Sequence, residues 1–152
     1  MHSGGSERRV GHDEFRERTQ GLALDQVEVL LAADAPDRAL GIVVPELERA
    51  DSARGRYLQG EVARRASPSA EAETAALVAY ERAQKLPDPP PEAFRRAGLI
   101  HRVRGEDAEA RRAFQRYLEL APAAADAPLV RAYLAAAPVP PPAAATPPRE
   151  QP

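Results

Sequence analysis

Three histidines, His2, His12 and His101, are the only imidazoles in the chain, and there is no cysteine. A protein metal site draws several ligands together at characteristic short spacings. His2 and His12 lie in a polar N-terminal stretch and form no spaced motif with His101, so no metal and no cofactor is expected. Paired carboxylates, the raw material of acid–base catalysis, occur at Asp13-Glu14 and at Glu106-Asp107-x-Glu109. Both sit where helical blocks begin, and acids there are explained by the helix dipole. Ser3, Ser6, Ser52, Ser67 and Ser69 occupy no nucleophile elbow. Ser3-Gly4-Gly5-Ser6 lacks both the lysine and the preceding strand of a phosphate loop. No catalytic residue is assigned, and the chain is not expected to be an enzyme.

Composition narrows the remaining classes. Hydrophobic residues are 43% and charged residues 29% of 152, which suits one globular domain. Aromatics are only 5% and alanine is abundant, so closely approaching helices are favoured over long strands. The net charge of −2 gives no global pull towards nucleic acid or an anionic membrane. Locally, residues 53–117 carry 13 Arg/Lys against 9 Asp/Glu, between two acidic flanks. Lys85 is the only lysine, and the Arg, Ala and Pro bias points to a GC-rich bacterial genome. No apolar run reaches the ~20 residues of a membrane span. The first residues, Met1 to Arg9, lack the apolar core of a secretory signal. The cytoplasm is therefore expected, with envelope association the alternative if the N-terminus is incomplete.

The elements follow from periodicity and punctuation. Residues 1–12 are polar and expected to be disordered, and 13–20 are either an extension of the first helix or a short helix of their own, making 1–19 a disordered or partly helical segment. Apolar spacing predicts helices over 23–33, 36–50, 53–66, 70–86, 91–104, 107–120 and about 127–136. Pro36 suits a first helical turn, Pro45 should kink or split its block, and Ser67-Pro68 reads as an N-cap followed by Pro at the first helical position. Gly105 separates the clearest helix pair. Seven of the last sixteen residues are proline, so 137–152 is expected to be a disordered or polyproline-like arm. Its Pro138-x-x-Pro141 spacing suits a spacer better than a recognition ligand.

Residues 91–124 carry a repeat signature. Phe94 holds the large aromatic slot, Ala97-Gly98 the small-residue pair and His101 the tyrosine slot. Ala110 and Phe114 then give A-x3-F, and Pro122 closes the unit. Weaker copies precede it, with Ala39-x3-Val43 in 20–52, and with Gly60 and Ala76-x3-Tyr80 in 53–90. The chain resembles a bacterial tetratricopeptide repeat protein. That resemblance implies an all-α right-handed superhelix of about three helix-turn-helix repeats over 20–124, with 127–136 as a capping helix. The stretch from Gln115 to Leu134 is also similar to C-terminal repeats of some bacterial envelope lipoproteins and metalloprotease-associated proteins. The H-E-x-x-H of a zinc protease is absent, so no such activity is carried over.

The resemblance further implies a concave groove, lined by the first helix of each repeat, that holds an extended protein or peptide partner. The matching positions are Arg54, Tyr57, Glu61 and Arg64 in the second repeat and Arg95, Leu99 and Arg102 in the third. Four arginines suit an acidic or C-terminal segment, because guanidinium grips carboxylate in bidentate fashion. Leu99 replaces the asparagine of the family's carboxylate clamp, which argues against a C-terminal chaperone motif. The competing reading of the same arginines is a solvated face. Two functions remain open: a non-catalytic scaffold that binds a protein segment, and a structural or assembly subunit of a larger complex or of a self-associating protein. Partner identity and oligomeric state stay open.

Overall fold

The structure, a computed structural model, describes residues 6–138, 140 and 142, with side chains from residue 11 onward. Every element among them is a helix: α1 (Ser6–Ala32), α2 (Pro36–Arg49), α3 (Ala53–Ala66), α4 (Ala70–Gln84), α5 (Pro91–Val103), α6 (Asp107–Leu120) and α7 (Ala127–Ala135). Of the residues 1–12 expected to be disordered, 1–5 lie outside the described residues, as does most of the proline-rich arm, and 6–12 are helical instead. The first helix is much longer than the 23–33 block, and residues 6–20 continue it. This extension has few apolar residues to bury, and Glu14 pairs with Arg18 one turn on, at 3.8 Å, a spacing that helices favour.

The chain divides into two compact units, one ending at Ala93 and one beginning at Phe94. In the first unit α1 packs on α2 and α3, α2 on α3, and α3 on α4. Leu24, Val27, Leu30 and Leu31 of α1 meet Ala39, Val43 and Leu47 of α2 and Leu58 and Val62 of α3 in one buried cluster. Each fully buried Leu or Val contributes about 1.5–3 kcal/mol. In the second unit Phe94, Ala110, Phe114, Tyr117 and Val130 form the core, so α7 covers the apolar face that α5 and α6 leave.

The helix ends have identifiable causes. Asp34 stops α1 in the left-handed region at φ 54°. Its N–H reaches the Leu31 carbonyl at 3.1 Å, and the Ala35 N–H reaches that of Leu30 at 2.8 Å. Gly105 ends α5 in the same way at φ 75°, with Gly105 N–H on Arg102 O and Glu106 N–H on His101 O. Both are Schellman closures. They stand five residues before Ala39 and Ala110, so the two hairpins share a register.

Two local expectations are corrected. Pro45 lies inside α2 without dividing it. Its ring faces solvent, and the carbonyl it leaves unpaired belongs to Gly41, which is exposed and open to water. The N-cap of α4 is Ser69, whose Oγ accepts the Ala72 N–H at 3.1 Å. Ser67 instead ends α3 in extended geometry, the conformation that a following proline imposes.

The helix pairs are keyed by size. A Cβ on Gly60 of α3 would meet the Tyr80 ring of α4 at 2.5 Å, and one on Gly98 of α5 would meet the Phe114 ring of α6 at 2.6 Å. In each pair an aromatic knob therefore rests directly on a glycine backbone. The first hairpin has Val27 and Val43 at the corresponding positions, both fully buried. A medium–medium pair there replaces none–large, which keeps the summed volume similar, as close packing requires.

Candidate interaction surface

On α3, Arg54, Tyr57, Glu61 and Arg64 recur every three or four residues and so follow one side of the helix. Arg54 Nη2 lies 2.5 Å from Asp25 Oδ1 and 3.0 Å from Glu28 Oε2, both on α1. Burial works against its charge, but the bonds and charges of the two carboxylates outweigh it, so its pKa is raised. Tyr57 is half-buried, and its ring lies 5.8 Å from that of Tyr80.

Glu61, expected as a groove residue, is only 3% exposed. Its Oε1 accepts the Tyr80 hydroxyl at 2.6 Å. Its Oε2 lies 3.2 Å from Arg64 and 3.8 Å from Arg65. Burial again opposes the charge of Arg64, and Glu61 more than offsets it, so this pKa is also raised. A raised arginine pKa means that the pairing is fully present below the ordinary guanidinium range and is lost only above it. Arg65 also donates to the Leu31 carbonyl at 2.6 Å, satisfying the C-terminus of α1 from α3. A buried carboxylate with this many donors positions α3, α4 and two arginines at once.

On α5 the face comprises Arg95, Leu99 and Arg102. Arg95 Nε stands 3.1 Å from Asp126 Oδ2, and Asp126 Oδ1 also accepts the Tyr117 hydroxyl. Leu99 is half-buried against the core of the second unit. The Arg102 guanidinium lies over the ring of Tyr133, 4.4 Å from its centroid. Tyr133 in turn packs on Phe114 at 5.6 Å. A continuous stack therefore runs from Gly98 through Phe114 and Tyr133 to Arg102. Tyr133 was not among the expected surface residues. The one available signal was an aromatic in the capping helix where alanine would have sufficed.

The repeat positions Phe94, Ala97, Ala110 and Phe114 are buried, and Pro122 follows the end of α6 at the surface. His101 is 9% exposed, and its Nδ1 lies 2.5 Å from Glu106 Oε2 across the α5–α6 turn, which leaves it a turn-closing role. Among the described residues no three His, Asp or Glu side chains gather in a way that holds a metal ion, and no helix is long and apolar enough to cross a membrane.

One further feature has no counterpart among the expected site residues. An open apolar cleft of about 440 Å³ lies between α2, α3 and α4, bounded by Leu40, Val62, Ala63, Ala75 and Val78, with Arg82 at its edge. Leu40 and Val78 are both 45% exposed. No family model and no curated protein matches the chain.

Proposed function

We propose that the chain is a tetratricopeptide-like, non-catalytic scaffold that binds acidic segments of a partner protein through its arginine-bearing helix faces, that of α5 above all. The observation that carries this is Arg102. Its guanidinium lies over the Tyr133 ring and has no carboxylate partner among the described residues, so its N–H donors remain available to an incoming carboxylate. Arg95, oriented by Asp126, adds positive charge to the face of α5, and Arg54 and Arg64, oriented by Asp25, Glu28 and Glu61, give α3 a charged face of its own. That orientation lowers the ordering cost of binding, although an incoming acid must share each arginine with a resident one. The glycine–aromatic keys make each helix pair a stiff plate on which such a surface is held.

Panning an extended-peptide library with the purified chain tests this. The scaffold reading expects enrichment of acidic sequences, weakened by salt and reduced at least about tenfold in an Arg54, Arg64, Arg95, Arg102 to Ala variant that circular dichroism shows to be folded. Enrichment of apolar sequences, undiminished in that variant, would contradict the acidic-segment reading and move the site to the Leu40–Val62–Val78 cleft. A second reading, an assembly role through self-association, is favoured by a separate feature of α1.

A further inference from the structure

Phe15, Leu22 and Val29 are 68, 71 and 66% exposed, the three most exposed large apolar side chains among the described residues. All three belong to α1 and are spaced by seven residues. At 3.6 residues per turn a step of seven returns to the same side of the helix within about 20°. They therefore form one line about 21 Å long. The line lies roughly 150° around the helix from Leu24, Val27, Leu30 and Leu31, the residues that bind α1 to its own unit. It is a second apolar face, on the opposite side from the first.

The helix that carries it also outreaches its support. With 27 residues, α1 is about 40 Å long, against about 21 Å for the 14-residue α2. Residues 11–18 are exposed on every side. The tie nearest that end is Gln20, whose side chain donates to the Ala50 carbonyl at 2.8 Å. Two turns of largely polar helix standing clear in water are marginal by themselves, and a partner along their apolar line would support them.

We propose that this partner is a second copy of the chain, with its α1 laid antiparallel against the first and the two-fold axis at Leu22. In that register Leu22 meets its own copy, and Phe15 of each chain meets Val29 of the other. Gly11 and Ala33, small residues on the same line, fall opposite each other at the two ends. Charge selects the antiparallel arrangement. Arg18 and Asp25 flank the line on one side, and the two-fold brings Arg18 of each chain opposite Asp25 of the other. Asp25 uses Oδ1 for Arg54, which leaves Oδ2 for this pair. A parallel pair would place Arg18 beside Ala23 and forgo both ion pairs. Six apolar side chains bury less than the ~1,200 Å² of a stable interface, so the dimer dissociates in the micromolar range.

Because the chain has no cysteine, single substitutions report the register cleanly. Sedimentation of the full chain between roughly 1 and 100 µM should show a monomer–dimer equilibrium. Leu22→Glu, at an exposed position that leaves the core intact, should abolish it. Under mild oxidation Leu22→Cys should form a covalent dimer. Phe15→Cys alone should not, and Phe15→Cys mixed with Val29→Cys should. A chain that stays monomeric with no Leu22→Cys cross-link overturns the proposal, as does a dimer that survives Leu22→Glu. Self-cross-linking by Phe15→Cys alone overturns the antiparallel register. None of these results bears on acidic-segment binding, which is read by the library experiment.

Discussion

A Cβ on Gly60 would stand 2.5 Å from Cε1 and 2.8 Å from Cδ1 of Tyr80, so α3 lies as close to α4 as it does because position 60 has no side chain. Tyr80 is fully buried and also held by Glu61, so its ring has little room to retreat. Gly60→Ala should therefore destabilise the first unit by about 1–3 kcal/mol through overpacking, despite alanine's better helix propensity. Gly21, inside α1, has nothing within 4 Å of its notional Cβ. There the same change should stabilise by about 0.5–1 kcal/mol. Urea unfolding of the two variants checks the opposite signs.

Glu61 is the most consequential polar residue of the first unit. Removing it leaves the Tyr80 hydroxyl without its carboxylate inside the helix pair and Arg64 without its counter-charge. Glu61→Ala should cost about 3 kcal/mol, and Tyr80→Phe about 1.5 kcal/mol. Since the two share a bond, their effects should not add. A double-mutant cycle in urea should show a coupling of roughly 1 kcal/mol or more.

The two serines of the α3–α4 connection should behave differently. Ser69→Ala removes the acceptor that the Ala72 N–H uses and should cost about 1 kcal/mol. Ser67→Ala removes no side-chain cap and should change stability by less than about 0.5 kcal/mol. Thermal melts of both variants locate the helix start.

The positions of most helices are legible in the sequence because their punctuation is chemical. Pro36 and Pro91 open helices, Gly105 closes one, and Ala110-x3-Phe114 fixes which side of α6 faces inward. The harder features depend on what surrounds a residue rather than on its type. Pro45 breaks helices in general, but here it sits on a wet face above an exposed glycine. Ser67 and Ser69 are both good caps next to one proline, and only the backbone geometry that Pro68 imposes separates them. Glu61 occupies a position that the repeat pattern assigns to the groove, yet the hydroxyl of Tyr80 nineteen residues later gives it an interior partner. Arg102 and Tyr133 come together only because α7 folds back over α5 and α6.

Asp34 closes α1 in the left-handed region that Gly105 occupies at the end of α5. An aspartate there carries a backbone cost of about 1 kcal/mol that glycine avoids. Asp34→Gly should therefore stabilise the first unit by roughly 0.5–1 kcal/mol, and Gly105→Ala should destabilise the second by about 1 kcal/mol. Differential scanning calorimetry of the two variants reads the shifts.

The most direct test of the central claim is affinity capture from a lysate of the source organism, with the wild-type chain beside the folded Arg54, Arg64, Arg95, Arg102 to Ala variant. A scaffold that holds acidic segments on its arginine-bearing faces should retain a partner that the variant loses and that rising salt releases. A partner held equally by both chains would contradict the account and reduce these arginines to a solvated face.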